Sequence, residues 1–144
     1  MNFLPVYIYF VTASFIASLS VFFIHKNKFP FLKYFTPFLF LTLMAETYGS
    51  YLSFIHKTNV WLYNFFSIFE FGFYFFIISL FIRNARMQKI IRISIVIYIT
   101  SAVINILFIQ GMKTFHTITY SLGCLLIVTF CIYYFLELFQ LPKS

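Results

Sequence analysis

The sequence predicts an all-α fold, an integral membrane bundle of five transmembrane helices with its N-terminus outside and its C-terminus cytoplasmic. Three observations predict it. Of the 144 residues, 62% are hydrophobic and only 9% charged, far below the roughly 25% charged residues of a soluble domain. Five stretches, 5–24, 34–55, 61–82, 90–109 and 117–138, are apolar over the ~20 residues that a helix needs to cross about 30 Å of hydrocarbon. Transmembrane strands, ~10 residues long and alternating, do not give such runs. The basic residues, finally, cluster in alternate connections.

The first span follows "MNFLP", which carries no Lys or Arg, and precedes "HKNKFPFLK". A cleavable secretory signal has the opposite polarity, so this segment reads as a retained helix. Lys26, Lys28 and Lys33 then lie between spans one and two, and Arg83, Arg86, Lys89 and Arg92 between spans three and four. Lys143 follows span five. Of the ten Lys and Arg only Lys57, in "HKTNV", and Lys113, in "QGMKTFH", fall on the other side. Short cytoplasmic loops accumulate Lys and Arg, which fixes the expected orientation. The net charge of +7 is then topological, and no nucleic-acid partner is expected. No connection is long enough for a soluble domain, so residues 1–144 read as one transmembrane domain in a bacterial inner membrane.

A charge near the bilayer centre costs ~2.5–3.5 kcal/mol on insertion scales, so each acid asks for a reason. Glu137 sits at the inner end of span five, where it can meet headgroups or Lys143. Glu46 and Glu70 lie nine residues from the outer ends of spans two and three, ~13 Å deep at 1.5 Å per residue. The two are expected to face each other across adjacent helices. Two carboxylates held together away from water do not both ionise, so the pair would share a proton.

Residues three and four apart share a helix face, and each acid heads a polar stripe. Ser50 accompanies Glu46, with Thr42, Gly49 and Ser53. Ser67, Tyr74 and Asn64 accompany Glu70, with Tyr63. Tyr98 and Asn105 belong to a stripe with Ser94 and Ser101 on span four, and Thr117, Tyr120, Ser121 and Cys124 to one on span five. Glu46, Glu70, Ser50, Ser67, Tyr74, Asn64, Tyr98 and Asn105 are therefore the candidate ligand- or proton-binding residues.

Other features point to structure. Cys124 and Cys131 are too far apart on one helix for a disulfide and read as packed thiols. His25, His56 and His116 read as interfacial anchors, and no third ligand gives metal-site spacing; no metal or cofactor is expected. Arg83, Arg86, Lys89 and Arg92 are candidate contacts for anionic lipid headgroups. Ala13, Ala17, Ser14 and Ser18 give small-xxx-small spacing suited to close helix packing or self-association. Membrane lipids, a second copy or a membrane partner protein are the partners expected. No nucleophile stands at a recognisable spacing from a base, so catalytic residues are not assigned and an enzyme is disfavoured.

"AET", "NVWLYNFFSIFEFGFY" and "INILFIQGMKTFHTITYSLGCLLIVTFCIYYFLELFQLP" resemble segments of a group of polytopic inner-membrane proteins from Bacteroidetes-type bacteria. The resemblance covers about residues 40–142 and brings no established activity. Members of that group are longer, with about two further spans after the proline matching Pro142, which implies a shortened or divergent member. The residues themselves favour a non-enzymatic sensor or partner-binding membrane module with an intramembrane polar pocket. A proton-coupled transporter component using the same acids and a lipid-acting intramembrane enzyme are the alternatives.

Overall fold

The computed structural model describes residues 5–24 and 32–140. Lys26, Lys28, His25, Pro142 and Lys143, which carried expectations above, lie outside the described residues. Five α-helices follow one another: α1 (Val6–Ile24), α2 (Leu32–Phe54), α3 (Val60–Phe81), α4 (Ala85–Ile104) and α5 (Thr117–Gln140). A π-helical segment, Asn105–Ile109, continues α4. No strand occurs among the described residues.

Four of these helical stretches are long and apolar enough to cross a membrane: Val6–Phe23, Val60–Phe81, Ala85–Ile109 and Thr117–Gln140. Of the five expected spans, α2 is the one that falls short of the others in apolar character. Its 23 residues give ~34 Å of helix, which is length enough. Lys33, Glu46 and a run of Thr, Ser, Tyr and Gly dilute its apolar character. The fourth span also starts earlier than hydropathy alone would place it. Asn84 caps α4, its side chain accepting from the backbone N–H of Arg86 and Met87. This is the ordinary N-cap arrangement, and it lets the helix begin among basic residues.

The chain divides into two compact units, Met1–Tyr63 and Asn64–Ser144. In the first, α1 packs on α2. Ser18, buried, shares a 2.7 Å hydrogen bond with Thr36, and the Phe15 and Phe40 rings lie 5.7 Å apart. Of the small residues noted on α1, Ser18 is used in this seam, whereas Ala13, Ser14 and Ala17 are exposed. At the end of α2, His56 adopts φ 56°, and the Lys57 N–H bonds the Leu52 carbonyl at 2.9 Å. That left-handed turn, with its bond back over the last helical turn, is a Schellman cap. His56 is thus exposed and closes the helix.

The second unit is organised around aromatic rings. Phe75, with no exposed surface, meets Tyr98 at 5.5 Å and Phe130 at 5.6 Å, both edge to face, the arrangement that aromatic quadrupoles prefer. Phe71 lies 5.3 Å from Tyr98 and 5.0 Å from Tyr120. It can do so because Gly123 has no side chain: a Cβ there would stand 2.7 Å from the Phe71 ring. Glu137 folds back on the turn before α4, accepting from the backbone N–H of Arg83 at 2.9 Å and of Asn84 at 2.8 Å. Its carboxylate closes a turn.

Candidate functional site

Glu46 and Glu70 belong to different units, and each is held by tyrosine within its own. In the first unit, Glu46 Oε2 accepts from Tyr7 Oη at 2.8 Å and from Tyr63 Oη at 3.1 Å. The Tyr7 hydroxyl is also within hydrogen-bonding reach of Ser50. Gly49 makes room for this group, since a Cβ there would come within 2.6 Å of Tyr63 Oη. Glu46 and Gly49 lie three residues apart and so share a face, which explains a glycine one turn from an acid. Two phenols donating to one carboxyl oxygen give it hydrogen bonds that apolar neighbours would not.

In the second unit, Glu70 Oε1 accepts from Tyr74 Oη at 2.8 Å, one turn along the same helix. Tyr98 and Tyr120 lie within electrostatic range of Glu70, and both are also within range of Cys124. Tyr98 is 1% exposed, and its hydroxyl has no hydrogen-bond partner. Cys124 is exposed and Cys131 half-buried, both free, so Cys124 is not the packed thiol that its spacing suggested.

The densest polar group lies elsewhere, at the start of α5. His116 is fully buried within the protein. Its Nε2 is 2.5 Å from Ser67 Oγ and its Nδ1 2.7 Å from Thr119 Oγ1. Ser67 can donate onward to the Asn64 carbonyl at 3.1 Å and Thr119 to the His116 carbonyl at 3.3 Å. Each hydroxyl can therefore accept from the ring or donate to it, and either neutral tautomer is satisfied. Burial pushes the imidazole below its usual range, partly opposed by a backbone contact with Asn64.

Asn64 locks the loop before α5 onto α3. Its Nδ2 donates to the Thr114 carbonyl at 2.9 Å, and its Oδ1 accepts from the His116 N–H at 3.2 Å. From the other side, Asn105 Nδ2 donates to Thr119 Oγ1 at 3.2 Å and to Gln110 Oε1 at 2.7 Å. Asn105 opens the π-helical segment and is 2% exposed, yet its Oδ1 accepts nothing. Of the residues expected to form a polar pocket, Asn64, Ser67 and Asn105 thus converge here, whereas Glu70 and Tyr74 pair separately in the same unit and the Tyr98 hydroxyl joins neither group.

No protein-family model, curated protein or solved structure matches this chain. Its chemistry therefore rests on geometry. No group of three or more His, Cys, Asp or Glu residues able to hold a metal occurs among the described residues. Ser67 and His116, 49 positions apart in sequence, do form a hydroxyl–imidazole pair of the kind that activates a nucleophile. Its third member is a threonine hydroxyl in place of a carboxylate. The pairing escaped sequence reading because His116 sits beside an apparent span end, where histidine is usually an anchor. A Ser-Asn stripe on α3 with a Thr three residues after the histidine was the available signal.

Proposed function

We propose that this chain is a non-enzymatic multi-pass protein of a bacterial inner membrane, acting as a sensor or partner-binding module. Its responsive element is the polar interior of the second unit. The observation that carries this reading is the unpaired Oδ1 of Asn105. The His116 network is closed on every side but this one, where it lacks a single donor. A buried acceptor without a partner costs ~1–3 kcal/mol, and an N–H or O–H from a small polar ligand would recover it. Asn105 also opens a π-helical segment, and such irregular turns are frequent at functional sites. The distribution of Lys and Arg supports an outside N-terminus and a cytoplasmic C-terminus. The networked end of α5 would then lie on the outer side.

Native mass spectrometry of protein released from nanodiscs tests the reading, with wild type beside Asn105→Leu. A small polar molecule or partner kept by wild type and lost from the variant is the expected outcome. Identical, empty spectra together with no crosslinked partner in native membranes would remove it.

Ser67 and His116 support a second reading, an intramembrane hydrolase. A fluorophosphonate probe that labels wild type and not Ser67→Ala would establish that activity. Silence in both would leave the pair structural. The acids keep a carrier component in view; proton uptake by proteoliposomes that disappears in Glu70→Gln would favour it over a sensor.

A further inference from the structure

A groove of about 460 Å³ runs between α3 and α4, lined by apolar side chains from Phe65 to Phe76 on one side and by Ile95, Ile99 and Val103 on the other. Gly72 forms part of its floor; a Cβ there would only touch Ile99, at 3.8 Å. From Phe65 to Phe76 the helix rises ~16 Å, about half of a ~30 Å hydrocarbon core. A groove of one leaflet's length, with hydrocarbon walls and an opening on the outside of the unit, fits an acyl chain.

What lies beyond its end identifies the rest of the ligand. Arg92, Ile95, Ile99 and Val103 follow one another at spacings of three, four and four, so Arg92 shares the groove face of α4. Lys89 lies three residues further toward the helix start. Long side chains on a helix lean toward its N-terminus, which carries Arg92 from the groove toward Arg83, Arg86 and Lys89. All four cations are exposed. The carboxylate at this turn, Glu137, binds backbone N–H groups of Arg83 and Asn84.

We propose that the second unit holds one anionic phospholipid, an acyl chain lying over Gly72 in the α3–α4 groove and the phosphate on Arg92 and Lys89. A guanidinium at the groove mouth can take two phosphate oxygens at once, and the neighbouring cations add attraction that a zwitterionic headgroup does not return. This inference is independent of the sensor reading, because none of its residues belongs to the His116 network.

The test uses the full chain in nanodiscs of equal phosphatidylglycerol and phosphatidylcholine, followed by native mass spectrometry. Wild type is expected to retain one phosphatidylglycerol. Arg92→Gln should lower that retention about fivefold, as for one surface charge removed. Gly72→Leu, which fills the groove, should abolish it, and Lys113→Gln, an exposed cation in the connection at the other end of α4, should leave it near wild type. Equal retention of phosphatidylcholine, retention unchanged in Arg92→Gln, or a lipid-free dimer would overturn the proposal. Should Gly72→Leu fail to fold, the comparison of Arg92→Gln with Lys113→Gln still decides.

Discussion

Ser67 Oγ and His116 Nε2 stand 2.5 Å apart inside the second unit, one on α3 and the other at the threshold of α5, and both are closed to solvent. A buried imidazole bonded on both nitrogens ties a loop, two helices and a π-helical segment together. Side chains that are far apart in sequence thus depend on one ring.

That dependence predicts an inversion of size and cost. His116→Leu removes the ring but leaves Ser67 and Thr119 with carbonyl acceptors of their own. Ser67→Ala removes one oxygen but strands a buried ring nitrogen, at ~1–3 kcal/mol. Denaturation of the purified protein, followed by circular dichroism, should show Ser67→Ala at least as destabilising as His116→Leu. A far milder effect of Ser67→Ala would mean that Nε2 finds water or another partner.

The same ring sets a pH dependence. Burial lowers the His116 pKa below its ordinary 6.5, so the unfolded chain binds this proton more readily than the folded one. Stability is then fully present above about pH 6.5 and declines as the pH falls toward the folded-state value. A thermal-unfolding series from pH 8 to 5 should show that decline, flattened in His116→Gln. The groups facing the ring, Ser67, Asn64, Thr119 and Tyr120, include no carboxylate to reverse the sign.

The helices were legible in the sequence because hydrocarbon imposes a length and a composition on anything that crosses it. The site was legible only in pieces. Glu46 and Glu70 announced themselves by charge, and Asn64, Ser67 and Asn105 by helical spacing. Thr119 is the single local sign of His116's place, and its burial depends otherwise on Asn64, 52 positions away. Tyr7 was equally hidden: its bond to Glu46 spans 39 positions, and periodicity within one helix carries no information about its neighbour's rotation. α2 is the least clear-cut of the helices, because the polar residues that serve the interior of the first unit also dilute its apolar character.

Three glycines in helices should respond differently to one added methyl. At Gly123 a Cβ meets the Phe71 ring at 2.7 Å, and that ring is pinned against Tyr98 and Tyr120. Gly123→Ala is expected to cost ~1–3 kcal/mol, as other overpacking does. Gly49→Ala meets the tip of Tyr63, which can swing aside at the loss of its bond to Glu46, so a cost of ~1 kcal/mol is expected. Gly72→Ala meets only Ile99 at contact distance and should be neutral or gain up to ~1 kcal/mol from helix propensity. Denaturant midpoints of the three variants check the order.

Tyr98 and Tyr74 make the sharpest contrast, because one phenol has an acceptor and the other has none. Tyr74 Oη donates to Glu70 at 2.8 Å, so Tyr74→Phe should cost ~1 kcal/mol or somewhat more. Tyr98 Oη is buried without a partner, while its ring packs on Phe71 and Phe75. Tyr98→Phe keeps the ring contacts and removes an unpaired hydroxyl, so it should be neutral or stabilising by up to ~1 kcal/mol. The two variants are compared by unfolding in the same lipid. A loss at Tyr98 matching that at Tyr74 would show that its hydroxyl is bonded in the bilayer. Tyr98 lies within electrostatic range of Glu70, and a water between them could make that bond. The acid and the two phenols would then be one polar site, and its occupant would compete for Glu70.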